Sequence, residues 1–233
     1  MKKIMMIITL GLMIMACGKQ ESIKKIGITQ IVEHPALDGA RNGFLKALED
    51  AGYKDGENLK IEYQNAQGDQ AVAQSIAESF VSDSKDLILA IATPTAQAAY
   101  NATKEIPVLI TAVTDPIQAG LAKSLEKSET NVTGTSDATP IDKQFALIRE
   151  LLPESKKVGI VYNTSELNSE VQVAQAKVIA QKYGLELVIK GVTSVNDLAQ
   201  VLDSLLKEVD VLYTPTGNLI VSATPLVVKK AME

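Results

Sequence analysis

The chain spells out one folding unit twice. From Lys25 it reads KIGITQ, a helical stretch, LKIEYQ, a second helical stretch and DLILAIATPT. From Lys157 it reads KVGIVYN, a helical stretch, LELVIKG, another helical stretch and DVLYTPT. A helix between each pair of strands makes the strands parallel, since parallel neighbours need a crossover. The 233 residues therefore predict an α/β protein of two Rossmann-like βαβ lobes with parallel sheets. Loops and helix starts collect at the carboxyl ends of such strands, so a ligand is expected in the cleft between the lobes.

The apolar runs and their breakers set the boundaries. In the first half, strands are expected at 26–32, 59–63, 87–92 and 108–112. Helices are expected at 36–51, at 70–81 with Asp69 as cap, and at 96–103 after a Thr93-Pro94-Thr95 turn. Residues 132–136, short, polar and glycine-bearing, read as a segment crossing between lobes. A helix at 141–152 precedes the second half, whose helices are expected at 169–183 and at 194–207, the latter with a capping-box-like start at Ser194 and Asp197. A strand at 209–213 and a helix at 219–232 end the sequence. The second half has three strands against four in the first, so the second lobe is expected to be incomplete through truncation at the C-terminus.

The N-terminus stands apart. Lys2 and Lys3 precede an apolar run at 4–15, with Ala16 before Cys17: a signal peptide at 1–16, too short to span a bilayer. Ile14-Met15-Ala16-Cys17 resembles the lipobox of bacterial lipoproteins, which implies lipidation of Cys17 and an anchor on the outer face of the cytoplasmic membrane. The domain reading is a signal peptide at 1–16, a lipidated tether at 17–23, an N-terminal lobe at 24–136 and a C-terminal lobe at 137–233.

A net charge of −5 without a cluster of Lys or Arg in the mature region argues against nucleic acid. One His and one Cys leave no parts for a metal site or a Cys-His or Ser-His nucleophile. With no GxxxxGK[ST] motif either, no catalytic residue, metal or cofactor is expected, and the chain reads as a non-enzyme. What remains are polar groups where strands end and helices begin. These are Gln30 and His34, then Thr93, Pro94, Thr95, Thr114 and Asp115, and in the second half Asn163, Glu166, Asn168, Ser169, Thr216 and Asn218. Helix N-termini suit a carboxylate, and Asp115 and Glu166 suit an ammonium, so the set suits a zwitterion. The same residue types also cap helices and shape turns. Without Trp and with 4% aromatic residues, sugars rank lower.

The segments IGITQIVEHPALDGARNGF, IATPTAQAA, PVLITAVTDPIQAGL, NVTGTSD, VGIVYNTSELNSEVQ and DVLYTPTGN together resemble ABC-transporter substrate-binding lipoproteins of the tryptophan/tyrosine-uptake type, built on the type I periplasmic-binding-protein fold. The resemblance implies a cleft for an amino acid, often aromatic, with contacts at Thr93 to Thr95, Asp115, Glu166, Asn168, Ser169 and Thr216 to Asn218. It also implies an ABC permease as partner. Two departures stand out: Gly217 occupies the position where the family pattern reads Pro-Thr-Asp-Asn, and family members are longer. Two alternatives stay open, a ligand-sensing lipoprotein feeding a receptor and a non-binding fragment of a longer binding protein.

Overall fold

The computed structural model describes residues 23–233, so the signal peptide and Cys17 lie outside the described residues. Five parallel strands form one sheet: β1 (Lys24–Gln30), β2 (Leu59–Asn65), β3 (Leu87–Ile91), β4 (Val108–Val113) and β5 (Val132–Ser136), in the order β2-β1-β3-β4-β5. A second parallel sheet has the order β7-β6-β8, from β6 (Lys157–Asn163), β7 (Glu186–Val192) and β8 (Val211–Tyr213). Around the first sheet lie α1 (Pro35–Asp50), α2 (Gln70–Ser82) and α3 (Thr93–Ala102). Around the second lie α4 (Ile141–Leu151), α5 (Leu167–Lys182), α6 (Val195–Leu205), α7 (Asn218–Ser222) and α8 (Thr224–Met232). Among the described residues no helix is long and apolar enough to cross a membrane.

The sequence repeat is physical. In each half the first strand sits between the other two, β2-β1-β3 and β7-β6-β8. Asp86, just before β3, accepts the backbone N–H of Lys25 at 2.8 Å and returns its own N–H to the Lys25 carbonyl at 2.8 Å. Asp210, just before β8, repeats this with Lys157 at 2.9 and 3.0 Å and also accepts from Lys156 at 2.7 Å. Those amides hold the Asp210 carboxyl below its usual range.

Glycines match too. A Cβ on Gly27 of β1 would lie 2.5 Å from the Phe80 ring of α2, and one on Gly159 of β6 would lie 3.0 Å from Val209 and 3.1 Å from Leu205 at the end of α6. Each lets a helix settle directly on the first strand of its half, which lies between two neighbours in its sheet. Along β6, Val158 and Ile160 face a core with Phe145 and Ala176, while Val161 faces Leu198, Leu202 and Ile220. That alternation covers both faces of the second sheet, as a parallel sheet requires.

Three expectations are corrected. Residues 132–136 form β5, the edge strand of the first sheet: Val132 supplies the only buried side chain, and an edge tolerates the polar remainder. Gly134, at φ +151°, lies flat against the Ile110 backbone, where a Cβ would fall 2.0 Å from the carbonyl oxygen. Thr93-Pro94-Thr95 is the first turn of α3, not a separate turn, because proline near a helix start removes an N–H that has no partner there. The helix expected at 219–232 is two helices meeting at Ala223, with Pro225 in the first turn of the second.

Candidate functional site

The carboxyl ends of β1, β3 and β4 face the second lobe. The last paired level is Gln30–Ile91–Thr111, and the backbone beyond it carries Val32, Thr93 and Ala112. Two alanines here have left-handed φ: Ala92 at +85° and Ala112 at +55°. Such a conformation costs a non-glycine residue about 1–3 kcal/mol and is concentrated at functional sites. Both alanines lie at the ends of adjacent strands, and Ala92 aims the start of α3.

Above this level lies a cavity of ≈ 140 Å³ between the lobes. Its apolar wall is Val32, Ala36, Leu37, Ala112 and Val221; its polar wall is His34, Asp137, Asn168, Thr216, Gly217 and Asn218. Ligand pockets usually hold roughly 300–1,000 Å³. This cavity is smaller than that range.

Four of the expected residues line the cavity: His34, Asn168, Thr216 and Asn218. His34 also caps α1, its Nδ1 accepting the Ala36 N–H at 3.2 Å, so in the neutral ring the proton sits on Nε2. Asn168 donates from Nδ2 to the Thr216 carbonyl at 2.8 Å. Thr216 is held by Gln172, whose Nε2 donates to its hydroxyl at 2.7 Å and whose Oε1 accepts its N–H at 3.1 Å.

The remaining expected residues lie off the cavity wall. Glu166, expected to hold an ammonium, is 5% exposed and its two oxygens are occupied. They accept from Asn163 Nδ2 at 3.0 Å, Asn218 N at 2.7 Å and Nδ2 at 2.9 Å, and Leu219 N at 3.0 Å. This carboxylate caps α7, which satisfies otherwise orphaned N–H groups. Asp115 likewise accepts Ile117 N at 3.1 Å, Gln118 N at 2.9 Å and Gln118 Nε2 at 3.0 Å, which fixes its own turn. Gln30 is buried and bridges Asp38 and Arg41 beneath α1.

The Thr95 hydroxyl is shared between the carbonyls of Ile91 and Ala92 at 2.7 and 3.0 Å, and Pro94 is buried beside it. Thr93, 2% exposed, and Ser169, fully buried, keep hydroxyls without a protein partner. Thr114 meets Thr216 across the lobes, 3.4 Å between hydroxyl oxygens. Gly217 has φ −97° and ψ 130°, which any residue adopts; its missing side chain makes room, since a Cβ would fall 2.6 Å from the Ser169 hydroxyl.

Sequence reasoning missed Asp137. It follows β5 directly, at the end of the polar NVTGTSD segment, and it is the carboxylate on the cavity wall. The residue is exposed at the mouth, but the cleft partly withdraws its carboxyl from water. That desolvation raises its pKa above the usual 3.8, while the Thr114 hydroxyl and its own backbone N–H act in the lowering sense. The signal was a lone acid placed where the backbone leaves the first sheet for the second lobe. The apolar residues Val32, Ala36, Leu37, Ala112 and Val221 were also missed, since in sequence they look like core or helix face, whereas Gly217, within the Thr216 to Asn218 stretch that the resemblance implied, does line the cavity.

The family described as ABC transporter substrate binding protein matches residues 25–233. A tyrosine-binding protein of Clostridioides difficile is 58% identical over 210 residues, 90% of this chain, and the chain spans 61% of that relative's length. The crystal structure of an ABC domain in complex with L-Trp from Streptococcus pneumonia is 41% identical; it superposes with a TM-score of 0.86, over 90% of this chain and 70% of that one. The ligand-free, open structure of a substrate binding protein with adhesive properties from Clostridium difficile is 57% identical, over 90% of this chain and 71% of that one, yet its TM-score is 0.62. The two parallel α/β sheets, the cavity between them and these matches identify the chain as a member of the ABC transporter substrate binding protein family.

Proposed function

We propose that this protein is the solute-capturing component of an ABC importer and that its solute is an L-amino acid with an aromatic side chain. The observation that carries the reading is Asp137, a carboxylate partly withdrawn from water on the wall of an interlobe cavity that is otherwise apolar or uncharged. A carboxylate made costly by desolvation is satisfied by a bound ammonium.

The ligand carboxylate is directed to the opposite pole. There the start of α1, whose Ala36 and Leu37 line the cavity, offers partial positive charge. Val32, Leu37 and Val221 then pack on the side chain. The tyrosine-binding relative and the L-Trp complex favour aromatic amino acids over small ones. Micromolar affinity needs about −8 kcal/mol, within reach of one ion pair, a few hydrogen bonds and a buried ring.

In this reading the stretches 24–136 and 137–233 act as two lobes that close on the solute, and closure tells the permease which copies are loaded. No covalent step is involved. The protein works outside the cytoplasmic membrane, anchored through Cys17. The test is a thermal-shift and calorimetric screen of the twenty amino acids, sugars and purine nucleosides. L-tyrosine and L-tryptophan are expected to bind, and Asp137→Asn to lower their affinity roughly 100-fold. Stabilisation by sugars or nucleosides alone would sink the proposal.

A further inference from the structure

Asn168, in the first turn of α5, is 4% exposed and stands on the cavity wall. One end of its amide faces two acceptors, the Thr216 carbonyl at 2.8 Å and a Glu166 oxygen at 3.4 Å, so that end must be the donor Nδ2. The other end is then Oδ1, which is buried without a partner. Its position is fixed from below: Gln172 donates to the Asn168 carbonyl at 2.9 Å and to the Thr216 hydroxyl at 2.7 Å. Ser169 repeats the pattern. It is fully buried, its hydroxyl has no partner, and it lies against Gly217 of the cavity wall, 2.6 Å from where a Cβ would stand. Buried polar atoms are nearly always hydrogen-bonded, so two orphans on consecutive residues beside one cavity mark a place where a ligand supplies the partner.

Charge decides what kind of partner that is. The wall formed by Asn168, Thr216, Gly217 and Asn218 carries no carboxylate, and Glu166 behind it has both oxygens taken by Asn163, Asn218 and Leu219. A buried cation held by neutral groups alone is costly, whereas a neutral O–H or N–H needs only an acceptor. Asp137 offers the ammonium its counter-charge, which leaves Asn168 for a neutral donor. Among aromatic amino acids, tyrosine carries such a donor on its ring hydroxyl and tryptophan on its indole nitrogen; phenylalanine carries none. We propose that Asn168 reads the ligand's side chain: its Oδ1 accepts the phenolic O–H of tyrosine or the indole N–H of tryptophan and so separates both from phenylalanine. This rests on the amino-acid reading above and adds to it the residue that selects within the class.

The test measures, by calorimetry on the full-length protein, affinities for L-tyrosine, L-tryptophan and L-phenylalanine with and without Asn168→Ala. Thermal unfolding without amino acid checks that the variant folds. The unsubstituted protein is expected to bind tyrosine roughly tenfold to a hundredfold more tightly than phenylalanine, since the two differ only in the hydroxyl. In Asn168→Ala that ratio is expected to fall below about threefold, through weaker tyrosine binding with phenylalanine little changed. A ratio near unity in the unsubstituted protein overturns the assignment. So does a ratio that survives in Asn168→Ala while both affinities fall together, as a merely structural asparagine, or one that holds the ammonium, would give. If Asp137→Asn then still weakens all three amino acids, the amino-acid reading stands without this one; if the unsubstituted protein binds none of them, both fail. Should Asn168→Ala not fold, the unsubstituted protein decides with the O-methyl ether of tyrosine and with tryptophan methylated on the indole nitrogen. Both keep the ring and its heteroatom but lose the hydrogen, so binding roughly tenfold weaker than the parent amino acid supports the proposal and equal binding sinks it.

Discussion

The carboxylate of Glu166 accepts the backbone N–H of Asn218 at 2.7 Å, across 52 positions of sequence. This bond ties the start of α5 to the loop that carries Thr216, Gly217 and Asn218 into the cavity. The acid therefore serves the site by holding its wall in place.

Glu166→Ala is accordingly expected to cost about 3 kcal/mol, because it strips the shared acceptor from several donors inside the second lobe. Urea unfolding measures the loss. Amino-acid affinity should fall as well, through disorder of residues 216–218, with its pH profile unchanged. An altered pH profile would mean that Glu166 touches the solute.

Asp137 makes the opposite prediction for stability. Its folded pKa is raised, so between the ordinary 3.8 and that higher value the unfolded state gives up its proton first. Its contribution to stability falls as pH rises through this window and stays low above it. Asp137→Asn should thus raise the melting temperature of the ligand-free protein at neutral pH and leave it unchanged below the window. Affinity for the amino acid should rise with pH over the same window in the unsubstituted protein, and titration calorimetry on Asp137→Asn should show that rise abolished.

Lys85, with a side chain only 4% exposed, pairs with Glu62 beside the Phe80 ring. The Lys85 hydrogen bond is the main cause of a lowered Glu62 pKa. Stability from this pair is therefore complete above the ordinary 4.5 and is lost as pH falls through the lower folded value. Lys85→Ala should cost roughly 1–3 kcal/mol, since Glu62 loses its partner but keeps some contact with water, whereas replacing the pair together, Lys85→Met with Glu62→Leu, should stay within about 1 kcal/mol of the parent. Acid unfolding curves of the double variant should lack this part of the low-pH loss.

The paired glycines differ in tolerance. Gly27→Ala would place a methyl 2.5–2.8 Å from three atoms of the fully buried Phe80 ring and should cost about 1–3 kcal/mol. Gly159→Ala meets the tips of Val209 and Leu205 at 3.0–3.2 Å, and these can give way, so its cost should be smaller. Phe80→Leu added to Gly27→Ala should recover part of the loss. Equal denaturation midpoints for the two alanine variants would contradict this account.

The sequence by itself determined the α/β class, the repeated strand-helix order and most element boundaries, because those follow from short-range patterns. Apolar runs mark buried strands, the spacing of Leu37, Phe44 and Leu48 marks a helix, and Asp69 caps α2 through Ala71 and Val72 as its position suggested. It also marked the loops at which a site would form, and His34, Asn168, Thr216 and Asn218 reached the cavity wall. It could not separate acids that stabilise turns from the acid that faces the cavity. Asp115, Glu166 and Asp137 are alike as letters, and what divides them is which N–H groups lie within about 3 Å once distant segments have met. Only tertiary structure set those surroundings: Asn218 and Leu219 for Glu166, the local turn for Asp115, and for Asp137 a place on the cavity wall. The strength of a carboxylate's interactions depends on the donors and the solvent around it, and those are supplied by residues far away in sequence.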